Sequence, residues 1–213
     1  HPVVVDEHAR RSAQRNAAYL LPHLKPGMSL LDIGCGPGSI TAGLAKAVAP
    51  GRAVGVDTSE AALERARADA ETADLALLEY QIGDAYDLPF PDGSFDAAYM
   101  HQVLQHLSEP ERAMREALRV LAPGGVIGIT EVVWDTAVFW PLSPETDRFL
   151  EIYDAVAIHN GGDPDMGRRL RSMLEPLGLA RIEIGAIVWP FGDAVATAQW
   201  GDLWRSRIQE SNI

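Results

Sequence analysis

The densest chemistry in the chain is an acid set two residues ahead of three alternating glycines: Leu30-Leu31-Asp32-Ile33-Gly34-Cys35-Gly36-Pro37-Gly38. The apolar run before the glycines reads as a buried strand, and the glycines as its turn into a helix. Such a turn lets a backbone bend tightly and approach a ligand closely. A dinucleotide fingerprint, Gly-x-Gly-x-x-Gly, would place its third glycine at position 39, where this chain has Ser39. Pyrophosphate recognition is therefore not the natural reading. Further acids follow other apolar runs: Asp57 closes Ala53–Asp57, and Asp84 follows Gly83. Groups able to take a proton sit at comparable places, namely His101, His106, Glu131 and Asp135, with His159 further on. Cys35 has no histidine at a motif spacing, so it reads as a structural thiol rather than a nucleophile.

The elements that must position these residues alternate. The pattern from Asp6 to Leu24 predicts a helix ended by Pro26-Gly27, and Ser29–Ile33 a strand. A helix from Ser39 to Val48, a strand over Ala53–Asp57 and an Ala/Arg-rich helix from Ser59 follow. Ala76–Ile82, Phe95–Met100 and Val126–Val133 read as strands, with a helix over Glu109–Leu121. Short strands apolar on both faces, alternating with helices, predict an α/β fold with a doubly wound, mostly parallel sheet. Ligands of such sheets bind at the carboxyl ends of the strands, where every motif above falls. Beyond Asp135 the rhythm changes: Pro144–Ile158, Pro164–Leu177 and Asp193–Ile208 look helical, and Arg181–Trp189 looks like a strand.

Asp-x-Gly-x-Gly-x-Gly after a first strand resembles motif I of the class I S-adenosylmethionine (SAM)-dependent methyltransferases. Four more blocks match in order. They are Gly55-Val56-Asp57-Thr58-Ser59; Gly83-Asp84-Ala85; the stretch from Leu88-Pro89-Phe90 through Ser94-Phe95-Asp96; and Val103-Leu104-Gln105-His106-Leu107 with Arg119-Val120-Leu121-Ala122-Pro123-Gly124-Gly125. The set looks like the branch containing the ubiquinone/menaquinone-biosynthesis methyltransferases, and covers roughly residues 12–134. The resemblance implies a Rossmann-like fold with S-adenosyl-L-methionine as cofactor. It also implies that amides around Gly34, Cys35 and Gly36 approach the amino-acid end, with Asp32 ordering the loop and receiving the amine. Asp57 would then take the ribose hydroxyls, with Thr58 beside the adenine. Asp84 would take the adenine amino group, Ala85 would donate its amide, and His101 and Gln102 would lie near the methionine portion. His101, Glu131 and His106 are the candidate catalytic groups, with Asp135 as a further base. Folds of this family end in an antiparallel seventh strand, and this sequence stops in a predicted helix.

Charge narrows the partners. Thirty acids against eighteen basic residues give a net charge of −12, which opposes binding to a phosphate backbone. The nearest thing to a basic stripe is Arg168, Arg169 and Arg171, and no Asn/Asp-Pro-Pro-aromatic tetrapeptide stands where Met100-His101-Gln102-Val103 does. With 47% apolar residues the chain can build a core; no apolar run reaches the ~18 residues of a membrane span, and the lone cysteine leaves no disulfide framework. No Cys/His cluster has metal-ligand spacing. The expectation is one cytoplasmic domain over residues 1–213: an N-terminal helix at about 6–24, a cofactor-binding core at about 28–134, and a substrate or lid region at about 135–213. Trp134, Phe139 and Trp140 suggest an apolar acceptor pocket, or equally a hydrophobic lid packed on the N-terminal helix, whose Tyr19 would close the site from the other side. The activity expected is methylation of a small organic acceptor at carbon, oxygen or nitrogen. Its rivals are a non-catalytic SAM-binding domain and an NAD-dependent oxidoreductase.

Overall fold

The computed structural model describes residues 11–73 and 75–210. At its centre lie five parallel strands: β1 (Leu30–Ile33), β2 (Ala53–Asp57), β3 (Leu78–Ile82), β4 (Phe95–His101) and β5 (Leu121–Thr130), in the spatial order β3-β2-β1-β4-β5. Strand order reverses between β1 and β4. An open sheet of this kind parts its loops at that point, which creates a crevice at the strand carboxyl ends. This is the α/β, doubly wound arrangement expected from the alternation of apolar runs and helical patterns.

Side-chain alternation along each strand divides the core in two. Leu30 faces a layer built with Leu44, Val48 and Leu63, whereas Leu31 and Ile33 face a layer built with Met114, Val120 and Met166. The first layer is covered by α1 (Ala13–Asn16), α2 (Ser39–Val48) and α3 (Glu60–Thr72). The second is covered by α4 (Pro110–Val120) and by α6 (Leu170–Leu174). Two further helices, α5 (Pro144–His159) and α7 (Ala194–Glu210), complete the described chain.

Several expectations about elements need correction. The expected helix at about 6–24 is interrupted: its first residues lie outside the described part, α1 stops at Asn16, and a separate 3-10 turn covers Leu21–His23. The Asn16 carbonyl is taken by the hydroxyl of Tyr99 from β4, Leu20 N–H bonds the Ala17 carbonyl instead, and Pro22 has no N–H to donate. Regular pairing of β5 with β4 begins at Val126, as expected, but ends at Thr130 rather than Val133. The residues beyond are held by another segment, with Gly167 N–H on the Val132 carbonyl and Trp134 N–H on the Pro164 carbonyl.

Pro164–Leu177 is not one helix but two 3-10 turns flanking the short α6. A side chain at Gly167 would place a Cβ 2.7 Å from Val133 Cγ2, so this stretch is shaped by its contact with residues 131–133 rather than by helical periodicity. Arg181–Trp189 has strand-like alternation but is in no sheet; Ile184 and Val188 point into solvent, 55% and 83% exposed. No described strand lies beside it to satisfy its backbone.

Candidate active site

Three acids stand near the carboxyl ends of three adjacent strands. Asp32 on β1 is almost wholly buried, at 2% exposure, and its Oδ2 accepts a 2.6 Å hydrogen bond from the Thr41 hydroxyl on α2. Burial pushes its carboxyl up to about 7; Thr41 opposes that shift and the nearby Asp57 adds to it. Asp57, ending β2, accepts from Gly36 N–H at 2.8 Å through Oδ2 and from Ser59 N–H at 2.9 Å through Oδ1. One carboxylate thus ties the glycine loop to the start of α3, while each oxygen keeps a second lone pair. Asp84, just past β3, accepts from Tyr86 N–H at 2.9 Å and so also shapes its own turn.

Gly34, Gly36 and Gly38 all adopt positive φ, at 70°, 54° and 75°. A Cβ at Gly34 would lie 2.5 Å from Val103 Cγ2 and one at Gly38 2.2 Å from the Tyr80 hydroxyl, so only glycine fits. The loop spends its own amides internally: Gly34 and Cys35 N–H both reach the Val56 carbonyl, at 2.8 and 3.0 Å, and Gly36 N–H reaches Asp57. Each of the three amides is thus engaged within the protein. Burial, with Asp32 and Asp57 nearby, drives the Cys35 thiol well above its ordinary range, which keeps it protonated and inert.

On the far side of the switch point, β4 ends in His101, and Gln102 follows it. Gln102 is the one non-glycine residue at positive φ (57°) among the described residues, held there as its N–H meets the Thr130 carbonyl at 2.7 Å. His101 is 7% exposed and stacks beside Tyr99 with ring centroids 6.1 Å apart. Burial, aided by the positive field of Arg11, lowers its imidazole to about 3, so the ring is neutral. Glu131 follows β5, and its carboxylate accepts backbone amides from Val103 (3.0 Å), Leu104 (2.8 Å) and Gln105 (3.3 Å). Burial raises that carboxyl to about 7 against the pull of the three amides. Geometry makes Glu131 an anchor for the 103–105 turn. His106, in the same turn, is exposed and lies with Nε2 3.1 Å from Gln105 Nε2.

Asp32, Gly34, Cys35, Gly36, Asp57, Thr58, Asp84 and Ala85 line one continuous cleft of about 2600 Å³, together with His101, Gln102, His106 and Glu131. A drug-sized ligand needs roughly 300–1,000 Å³, so this cleft has room for two molecules side by side. Asp135 and His159 are not among its lining residues; Asp135 pairs instead with Arg168. Tyr19 does line it, and its hydroxyl is 2.8 Å from Thr130 Oγ1. Trp134 and Phe139 join Phe149 and Tyr153 of α5 and Trp200 and Trp204 of α7 in one aromatic cluster, so these rings pack against α5 and α7. Trp140 is 88% exposed and is not part of it. Thr41, Tyr99 and Trp189 escaped the sequence reading. Only the need of a buried Asp32 for a donor on α2 could have signalled Thr41, and nothing local signals the other two.

The donor groups of SAM are an ammonium, two ribose hydroxyls and an adenine amino group. Each calls for an acceptor, and Asp32, Asp57 and Asp84 supply a row of carboxylates around the glycine loop. The residues present fit that cofactor. The comparisons agree. The methyltransferase domain family matches residues 31–129. An uncharacterized methyltransferase of Schizosaccharomyces pombe is 34% identical over 218 residues, covering 98% of this chain and 78% of that protein. A demethylmenaquinone methyltransferase of Symbiobacterium thermophilum is 41% identical over 105 residues, 48% of this chain and 42% of that one. A SAM-dependent methyltransferase structure from Methanosarcina mazei superposes with a TM-score of 0.52 at 28% identity, covering 62% of this chain and 64% of that chain. The chain spans about half the length of several other curated relatives it matches. A sheet with this strand order, carrying this acid-flanked glycine loop, defines a class I methyltransferase. The chain belongs to that SAM-dependent family. Its cofactor is S-adenosyl-L-methionine.

Proposed function

We propose that this enzyme methylates a small, largely apolar organic acceptor, which lies beneath the region after β5. The observation that carries this reading is the single cleft, which runs from the three acids at the strand ends to the aromatic-lined region formed by Trp134, Phe139 and Trp200. Beside it, a cavity of about 680 Å³ bounded by His106, Phe149, Tyr153 and Trp204 offers room for an apolar extension of the acceptor. The demethylmenaquinone methyltransferase named above carries a quinone-type molecule in its name, which supports an acceptor of that character. The net charge of −12 and the ion pairs of Arg168, Arg169 and Arg171 with acids argue against nucleic acid.

SAM supplies a methyl group on a sulfonium, electrophilic without further activation. The protein's part is to hold, align and exclude water. On this reading Asp32 holds the amine, Asp57 the ribose hydroxyls, and Asp84 with Ala85 the adenine edge. Thr41 keeps Asp32 in place. Gln102, locked at positive φ, and the turn anchored by Glu131 form the wall between cofactor and acceptor. His101 and His106 face the acceptor side. Among the described residues no helix is long and apolar enough to cross a membrane.

The test is a methyl-transfer screen with isotope-labelled SAM against three acceptor sets: planar phenols and reduced quinones, duplex and single-stranded nucleic acid, and protein. Label should enter only the first. Label in nucleic acid or protein alone overturns the acceptor class, and failure of S-adenosylhomocysteine to bind in a calorimetric titration overturns the cofactor site itself.

A further inference from the structure

Three polar atoms of cleft-lining residues are buried without a hydrogen-bond partner among the described residues: Oε1 of Gln105, and Nε2 of His101 and Nε1 of Trp189, which belong to neighbouring side chains. Their rings meet edge to face with centroids 6.0 Å apart, and both residues line the cleft. A buried polar group without a partner is destabilising, so two such groups side by side point to a missing occupant.

The local hydrogen bonds decide what each atom offers. The Asn16 carbonyl can only accept, so the single hydroxyl hydrogen of Tyr99 goes to it, at 3.0 Å. The Tyr99 oxygen lies 3.3 Å from His101 Nδ1 and must then be the acceptor in that pair. The hydrogen of the neutral imidazole is therefore on Nδ1, and Nε2 carries a bare lone pair. An indole nitrogen can only donate. One unfilled acceptor and one unfilled donor thus lie on adjoining rings of the cleft wall.

Resting on the methyltransferase reading of this cleft, we propose that His101 Nε2 and Trp189 Nε1 together bind a hydroxyl group of the acceptor. That hydroxyl donates to the imidazole and accepts from the indole. A hydroxyl is the smallest group that does both, and the aromatic surroundings select a planar ring to carry it. The acceptor is accordingly a phenol- or enol-type molecule, and the pair forms its specificity site. Tyr99 is a positioning residue, because its oxygen keeps the imidazole hydrogen on the far nitrogen.

The test compares 2-naphthol with 2-methylnaphthalene, which has a methyl group of similar size in place of the hydroxyl. Each is titrated by nuclear magnetic resonance into the full chain, with and without saturating S-adenosylhomocysteine. The naphthol should bind at least about tenfold more tightly, as expected for two hydrogen bonds to otherwise unpaired buried groups. His101→Phe should erase the preference, Trp189→Phe should reduce it severalfold, and Tyr99→Phe should weaken it while shifting the imidazole tautomer seen by nitrogen-15 resonance. Thermal melts identify any variant that fails to fold, and the tautomer in the unsubstituted protein is read independently of all variants. Equal affinity for the two probes, binding of neither, or a hydrogen found on His101 Nε2 overturns the proposal. S-adenosylhomocysteine binding without naphthol preference sinks this inference and leaves the cofactor site standing; the reverse pattern sinks the cofactor site and leaves the hydroxyl site.

Discussion

Asp32 concentrates the electrostatics of the cofactor site. Its carboxyl is raised from the usual range to about 7 by burial, so between about pH 4 and 7 the folded chain holds a proton that the unfolded chain releases. Stability should therefore fall as pH rises through that window, and Asp32→Asn should remove this dependence in thermal melts. Binding works the other way, because an ammonium is held by the ionised carboxylate. S-adenosylhomocysteine affinity should decline by up to about tenfold per pH unit below 7 in calorimetric titrations. In Asp32→Asn, affinity should drop at pH 8 without loss of melting temperature; an affinity indifferent to both pH and substitution would remove Asp32 from the site. Thr41→Val strips the only described donor to this carboxylate and should cost about 1–3 kcal/mol in denaturant unfolding. Asp32 and Thr41 are nine residues apart. The acid's importance is plain in the Asp-x-Gly-x-Gly-x-Gly run, but its partner depends on how α2 lies back across β1.

At the scale of elements, Glu131 shows how a loop is held where chemistry needs it. Its carboxylate gathers the amides of Val103, Leu104 and Gln105, as an acid does at a helix N-terminus, although it comes from the end of β5 rather than from the turn itself. Glu131→Gln puts an amide donor among these N–H groups and should destabilise the fold by about 1–3 kcal/mol. It should lower turnover while leaving the shape of the pH–rate profile unchanged. A lost limb in that profile would instead mark Glu131 as the titrating base. The sequence offered Glu131 as a base because acids at strand ends face clefts, and its position in the cleft agrees with that reasoning. Its occupation by three amides was beyond any local pattern, since residues 103–105 and 131 meet only when β4 and β5 pair.

For the molecule as a whole, the proposed function gives the sheet and the region after β5 separate tasks. The acids and glycines sit on strand ends fixed by two buried layers, whereas the aromatic cluster of Trp134, Phe149, Trp200 and Trp204 joins α5, α7 and the 3-10 turn Trp134–Thr136. Trp200→Ala should loosen that region, seen as faster hydrogen exchange in α5 and α7. It should also raise the acceptor KM severalfold with little change in S-adenosylhomocysteine affinity. An equal loss of both affinities would show that the two parts are not energetically separable.

The strand-helix alternation, the glycine loop and the acid row were legible from sequence because each depends on short-range physics. Apolar periodicity selects strand or helix, and only glycine tolerates positive φ at Gly34 and Gly38 against the side chains of Val103 and Tyr80. The tertiary structure alone decided that Arg181–Trp189 joins no strand among the described residues and that the Gly34–Gly36 amides serve the protein itself. In the proposed hydroxyl site it also sets which nitrogen of His101 carries the hydrogen. Each of these is settled by groups distant in the chain: a neighbouring strand present or absent, the Val56 carbonyl, and the Asn16 carbonyl reached through Tyr99. A hydrogen bond has one donor and one acceptor, and periodicity identifies only the element on which either will sit.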